Sequence, residues 1–225
     1  FPPAVVQLIP GRGEEVGAHL VEHPNTAIVA FTGSMDVGLH IIARAGTTQT
    51  GQPQVRRVVC EMGGKNAIIV DDDADLDEAV SGVIKSAFGF AGQKCSACSR
   101  VVVLDKIHDA FCARLKDAVD ALNVGPATQP GCDYGPVVDA DALDKINHYI
   151  GVGHEEGQLL AQAPGLEGGH YPKASVFQDI EGHHRLAQEE VFGPVVAVLR
   201  ARDFDHAFEL ANGTRFALTG GLFSR

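Results

Sequence analysis

Cys95 is the first residue whose setting suggests chemistry. It lies in Phe88-Gly89-Phe90-Ala91-Gly92-Gln93-Lys94-Cys95-Ser96, a small-residue loop after a helical pattern. A nucleophilic thiol needs an exposed, electropositive setting that lowers its pKa from about 8.5. Lys94 and the adjacent backbone amides are candidates to supply it. A buried, inert cysteine is the structural alternative, and it fits Cys60 and Cys112 better, since both sit in apolar periodic runs. Cys98 makes a C-x-x-C with Cys95. With His108 and Cys112, which share a helix face, that motif admits a zinc reading. Thiol–disulfide exchange is a further reading, although a strand rather than a helix follows the motif.

Glu61 follows the apolar run Arg57–Cys60 and precedes Met62-Gly63-Gly64-Lys65. A carboxylate at the carboxyl end of a parallel strand faces the crevice where ligands bind. The alternative is a surface carboxylate paired with Lys65. The segment Phe31-Thr32-Gly33-Ser34-Met35-Asp36-Val37-Gly38 leaves a strand and enters a helix. The first amides of such a helix are unpaired, Gly33 allows close approach and Ser34 offers a hydroxyl, so the junction suits an anionic diphosphate. Ser34 as a plain helix cap is the alternative. Gly11, Gly13 and Gly17 resemble a dinucleotide fingerprint with one residue too many, and a tight turn is the simpler reading. Asp71, Asp72, Asp73, Asp75 and Asp77 read as a solvated helix start, and His183-His184 as surface.

The elements that position these residues alternate. Val5–Ile9, Ala27–Phe31 and Arg57–Cys60 read as strands, with helices over 13–21 and 34–45 between them. That β-α-β-α-β order implies a parallel sheet. A second unit opens near Gly63-Gly64, with a strand at Asn66–Val70. A helix follows, capped by Asp73 or Asp75 and carrying Leu76, Val80, Val83, Ile84 and Ala87. Arg100–Leu104, Gln158–Ala161 and Val195–Leu199 read as further strands. Helices are expected over about 107–122, 139–156 and 203–211. There are no repeats, low-complexity tracts or long linkers.

The 225 residues suffice for one large domain or two modest ones, and 45% hydrophobic with 21% charged residues is ordinary for a globular protein. A net charge of −11 disfavours nucleic acid as a partner. No run of 18 apolar residues is present, so no membrane span is expected. Five cysteines suit a reducing compartment better than a disulfide scaffold. Phe1-Pro2-Pro3 has neither a starting Met nor a signal-peptide pattern, which suggests a chain cut from something longer.

With these residues in place, the chain resembles the aldehyde dehydrogenase superfamily over nearly its whole length. Four motifs in order carry the resemblance: Phe31–Gly38 (FTGSMDVG), Glu61–Lys65 (EMGGK), Gly92–Cys95 (GQKC) and Glu189–Pro194 (EEVFGP), with Glu61 and Cys95 34 positions apart. EMGGKN and GQKCSACSR are similar in particular to the Δ1-pyrroline-5-carboxylate dehydrogenase branch, which occurs alone or fused to proline dehydrogenase. That branch oxidises glutamate γ-semialdehyde to glutamate with NAD.

The resemblance implies an α/β, aldehyde dehydrogenase-like fold. Residues 1–61 would be the C-terminal half of a Rossmann-like NAD-binding domain, and residues 62–225 a catalytic domain lacking its C-terminal end. It implies Cys95 as nucleophile and Glu61 as the base that releases the acid. Gly13, Thr32, Gly33, Ser34, Gly38 and Met62 would line the cofactor site, with Glu190 on the nicotinamide ribose hydroxyls and Phe192 beside that end. Ser96 would contact the substrate carboxylate. No metal is implied, because Cys98 belongs to the branch signature. The cofactor would be NAD, with NADP the lesser alternative. The intact enzyme would be a homo-oligomer or a fusion with proline dehydrogenase, in the cytoplasm or, in a eukaryote, the mitochondrial matrix. The family's earlier segment, with an oxyanion-donating Asn and much of the adenosine site, and its later substrate-anchoring segment have no counterpart among these residues. The chain is therefore expected to be a fragment, inactive or nearly so by itself. An aldehyde dehydrogenase for another small aldehyde and a non-catalytic thiol or zinc module are the alternatives.

Overall fold

A computed structural model describes residues 1–225, which divide into two compact units, Phe1–Gly63 and Gly64–Arg225. The division falls just after the expected boundary at 61, so Met62 and Gly63 stay with the first unit.

In the first unit a π-helical turn, Gly13–Gly17, runs into helix α1 (Ala18–Glu22). Strand β1 (Ile28–Thr32), helix α2 (Met35–Ala45) and strand β2 (Arg57–Glu61) follow. The strands pair in parallel, from Ile28 opposite Arg57 to Thr32 opposite Glu61. Helix α2 is the crossover. Its Ile41 and Ala45 bury with Val21 of α1, and Val29, Phe31, Val58 and Cys60 pack around them. Arg56 is buried and closes the unit, donating to the carbonyls of Glu22, His23, Thr26 and Ala45 at 3.0–3.3 Å.

One expected strand is absent. Val5–Ile9 forms no strand, and Val5, Val6, Leu8 and Ile9 are 54–92% exposed. The segment is bracketed by Pro2-Pro3 and Pro10, and the Val5 N–H donates back to the Pro2 carbonyl at 3.0 Å. The sheet here has only two strands, so nothing pairs with that run. An apolar run without a neighbouring strand satisfies neither its backbone nor its side chains. The observed order is therefore β-α-β, and the glycines at 11, 13 and 17 have no strand before them.

The second unit is a six-stranded sheet of order β5-β6-β7-β4-β3-β8. Its strands are β3 (Asn66–Val70), β4 (Cys98–Leu104), β5 (Gln158–Gln162), β6 (Ser175–Gln178), β7 (Val195–Ala201) and β8 (Gly220–Phe223). All neighbours run parallel except β5 against β6. Val101, Val102 and Val103 of β4 are fully buried. A continuous β-branched run of that kind marks a central strand covered on both faces. Helices α3 (Leu76–Phe88), α4 (Asp105–Asp120), α5 (Ala140–Glu156), α6 (Arg185–Gln188) and α7 (Phe204–Asn212) connect the strands. Asp75, Asp139 and Asp203 cap α3, α5 and α7 through their carboxylates, so of the two caps considered for α3, Asp75 serves. The strands β6 and β8 and the single turn α6 have no counterpart in the sequence reading. No helix is long and apolar enough to cross a membrane.

Candidate active site

The Cys95 loop is built by strain and close packing. After α3 the backbone turns through three successive left-handed residues, Phe90 at φ 60°, Ala91 at φ 54° and Gly92 at φ 69°. Two of these are not glycine, and each such residue costs of order 1 kcal/mol and persists only where its surroundings hold it. They do hold it. A Cβ on Gly92 would lie 2.4 Å from the Gly193 carbonyl oxygen, so the loop sits directly against the Glu189–Pro194 segment. There Phe192 is also left-handed, at φ 59°. A Cβ on Gly64 would lie 2.5 Å from the Cys95 carbonyl oxygen. Gly64 thus lets the chain pass beneath the thiol loop.

Asn66, the first residue of β3, locks the same loop. Its side-chain amide donates to the Cys95 carbonyl at 2.7 Å and the Ala97 carbonyl at 2.9 Å, and its oxygen accepts the Thr219 N–H at 3.1 Å. Gln93 ties the loop outward by accepting the Val138 N–H at 3.0 Å. Cys95 and Ser96 emerge exposed, and Lys94 is half-buried. A rigid loop that presents a thiol to solvent suits attack on an electrophile.

The other cysteines differ. Cys98 is buried, its thiol donates to the Arg100 carbonyl at 3.4 Å, and burial pushes it up to about 12. Cys112 is also buried and likewise pushed up to about 12, with its sulfur 3.7–3.8 Å from the His108 ring nitrogens. Cys60 is only half-buried, which corrects the expectation of a fully buried thiol there. It lies under helix α2, where its thiol donates to the Gly38 carbonyl at 3.7 Å, in a two-stranded sheet that covers it incompletely. Cys95, Cys98, His108 and Cys112 do not gather as the zinc reading required. The three side chains that do converge, with ligand atoms within 4.8 Å of one another, are Glu181, His183 and His184. They form a hydrogen-bonded turn into α6, in which His184 Nδ1 accepts the Glu181 N–H at 3.1 Å.

Glu190 is half-buried, and one carboxylate oxygen accepts the Gly64 N–H at 2.9 Å, leaving the other free. Lys65 beside it is buried, and its ammonium has no hydrogen-bond partner. Burial, reinforced by nearby Arg100, lowers its pKa to about 7. Lys65 is thus not a surface counter-ion for Glu61. Arg100 is buried as well, donating to the carbonyls of Lys65, Leu210 and Ala211 at 2.7–2.9 Å.

In the first unit, Glu61 ends β2 with an exposed side chain. Thr32, Gly33 and Ser34 are exposed where β1 meets α2. Ser34 caps α2, its hydroxyl accepting the Val37 N–H at 3.3 Å. Both readings of Ser34 survive, because a cap occupies one amide of the first turn and leaves others. Gly13 lines an apolar groove with Leu20, Val21, Phe31, Val37 and Ile41. Gly38 is different: it is buried, and a Cβ there would lie 2.7 Å from Met62 Sδ. Its need for no side chain comes from packing under Met62, not from an open surface. Asn66, Gly193 and Arg100 were not singled out by sequence, because each acts on residues far along the chain.

The family model described as aldehyde dehydrogenase matches residues 1–225. Among curated relatives, 1-pyrroline-5-carboxylate dehydrogenase of Geobacillus thermodenitrificans is 48% identical over 226 residues, spanning 100% of this chain and 44% of the relative. A solved structure of 1-pyrroline-5-carboxylate dehydrogenase from Thermus with bound NAD superposes with a TM-score of 0.97 at 48% identity, covering 100% of this chain and 44% of that one. Proline utilization A from Bdellovibrio bacteriovorus superposes with a TM-score of 0.98 at 51% identity, covering 100% of this chain and 23% of that one. The chain therefore spans less than half the length of these relatives. With a family model matched from its first residue to its last, the chain belongs to the aldehyde dehydrogenase family.

Proposed function

We propose that the protein carrying this chain oxidises L-glutamate γ-semialdehyde, the open form of Δ1-pyrroline-5-carboxylate, to L-glutamate with NAD, as a step of proline catabolism. The observation that carries the reading is the exposed Cys95 thiol on a strained loop locked by Asn66, Gly64 and Gly193. The branch-like motifs and the 48% identity to a named relative support the substrate.

The residues present fit the cofactor. The apolar groove at Gly13, Val21, Phe31 and Ile41 suits a flat ring. The exposed Thr32-Gly33-Ser34 junction at the start of an 11-residue helix suits a diphosphate. The free oxygen of Glu190 suits a ribose hydroxyl, and half-exposed Phe192 suits packing beside that end. When bound, NAD supplies the hydride acceptor.

In this reading the Cys95 thiolate attacks the aldehyde carbon, forming a C–S bond and an oxyanion. The Cys95 N–H, which no protein group accepts, is available to that oxyanion; one such donor is worth roughly 3 kcal/mol in related chemistry. Loss of hydride from that carbon leaves a thioester on Cys95. Glu61 takes a proton from water, the hydroxide attacks the thioester, and the C–S bond breaks to return thiolate and release the carboxylic acid. Ser96 contacts the substrate carboxylate.

The test is rapid mixing of the enzyme carrying these residues with NAD and glutamate γ-semialdehyde. Cys95→Ala abolishes NADH formation while NAD binding persists. Glu61→Gln gives a burst of NADH followed by slow turnover, because it impairs hydrolysis more than acylation. Equal loss of burst and turnover would remove Glu61 from the role of base.

A further inference from the structure

Glu190 is delivered by a single helical turn whose two ends are gripped by one face of helix α5. At the front end, the Glu156 carboxylate accepts the N–H groups of Arg185 and Leu186, both at 2.9 Å. At the rear end, the Tyr149 hydroxyl donates to Glu189 Oε2 at 2.6 Å, and the Arg185 guanidinium holds both Glu189 oxygens at 3.0–3.1 Å. The guanidinium also lies 5.8 Å from the centre of the Tyr149 ring. Tyr149 and Glu156 are seven residues apart, two helical turns, and so project from the same side of α5.

The fork on Glu189 joins residues on one short turn and would be worth little as a surface ion pair. The Tyr149 hydroxyl changes that, because it joins the pair to a 17-residue helix. The electrostatics keep the link formed across neutral pH. Arg185 and then Tyr149 hold the Glu189 carboxyl below its usual range, while burial and then Glu189 push the Tyr149 phenol up to about 12. The residue that benefits is the next one. Glu190 follows Glu189 directly and must aim one oxygen at the Gly64 N–H and keep the other free. Two residues later the backbone is left-handed at Phe192, a conformation that persists only when its flanks are fixed.

We propose that Tyr149, Arg185 and Glu189 form a clamp that positions Glu190 for the nicotinamide ribose, making α5 a determinant of cofactor affinity although no residue of the clamp touches the cofactor. The inference rests on the reading of Glu190 given above.

The experiment measures KM for NAD, kcat, inhibition by AMP and thermal midpoint for the enzyme carrying these residues, in wild type, Tyr149→Phe, Arg185→Lys and Glu190→Gln. Tyr149→Phe keeps the ring and removes only the hydroxyl, and Arg185→Lys keeps the charge and removes the fork. Each is expected to raise KM for NAD about 5-fold, the effect of partly losing a hydrogen bond to a charged group. AMP, which has no nicotinamide ribose, should inhibit as before, and the thermal midpoint should hold. Should Tyr149→Phe lower the thermal midpoint, Arg185→Lys on the exposed turn carries the decision. If Glu190→Gln weakens NAD but both clamp variants bind NAD like wild type, the clamp is refuted and the Glu190 reading stands. Parallel weakening of NAD and AMP by the clamp variants would also refute it, as general loosening. If Glu190→Gln leaves NAD affinity unchanged, the Glu190 reading fails and the clamp with it.

Discussion

Lys65→Met replaces a buried ammonium that has no hydrogen-bond partner with an apolar side chain of similar length. In the folded chain, burial and the nearby Arg100 lower the Lys65 pKa from its ordinary 10.5 to about 7. The unfolded chain therefore holds this proton up to about pH 10.5, whereas the folded chain releases it near pH 7. Between those values the unfolded state binds more protons, so stability rises with pH across that window. At 1.36 kcal/mol per pH unit, the gap of about 3.5 units amounts to about 5 kcal/mol of penalty below pH 7, of which roughly 2 kcal/mol is relieved between pH 7 and 9. Lys65→Met carries no such term. Cys98 works in the opposite sense. Its pKa is raised from 9.0 to about 12, so it costs stability only above about pH 9, beyond the pH values compared. Urea unfolding of the 225-residue chain at pH 6.5, 8 and 9 isolates the difference. The variant should be the more stable at pH 6.5, with the gap narrowing as pH rises. Parallel pH curves, or a variant less stable at pH 6.5, would show that attraction to Glu190 and Glu189 outweighs desolvation and that the reasoning is wrong.

Two further perturbations follow from the same region. Iodoacetamide should label Cys95 first of the five thiols, because it alone is exposed, while Cys98 and Cys112 label only on unfolding; peptide mass spectrometry under limiting reagent checks the order. Arg100→Met should lower stability by at least about 3 kcal/mol, since it strips a charged donor from the carbonyls of Lys65, Leu210 and Ala211; a loss below about 1 kcal/mol in urea would refute that.

The elements with strong local signals were legible in the sequence. Asn66–Val70 is legible with its observed ends, because a mostly apolar run of five follows Gly63-Gly64-Lys65 and stops at an acidic turn. Helix α3 announced itself through its acidic cap as much as through its periodicity, while α5 and α7 were read from their pattern and only the structure shows Asp139 and Asp203 capping them. What escaped depends on distant partners. Strand β8 reads Gly-Gly-Leu-Phe, a poor strand by propensity, and exists because β3 offers it an edge. Val5–Ile9 failed for the converse reason: its composition is good, but it is paired with no strand. Lys65 looked like a surface residue because lysine is almost never fully buried. The exposed thiol at Cys95 and the carboxylate at Glu61 were recognisable from their flanking glycines. The role of those glycines was visible only once Gly64 and Gly92 were seen packed against backbone oxygens.

Asn66 has a consequence for the order in which the chain acquires its shape. Its side chain spans 29 residues to reach Cys95 but 153 to reach Thr219. During synthesis the near contact becomes possible long before the far one exists. Until Thr219 arrives, the Asn66 side-chain oxygen lacks its partner, and the loop under Cys95 is held by only part of its final set of bonds. Contacts that close so much chain form late and slowly. The thiol loop is therefore among the last parts to set, and a newly made chain passes through a period in which Cys95 is present but not yet held in its working geometry.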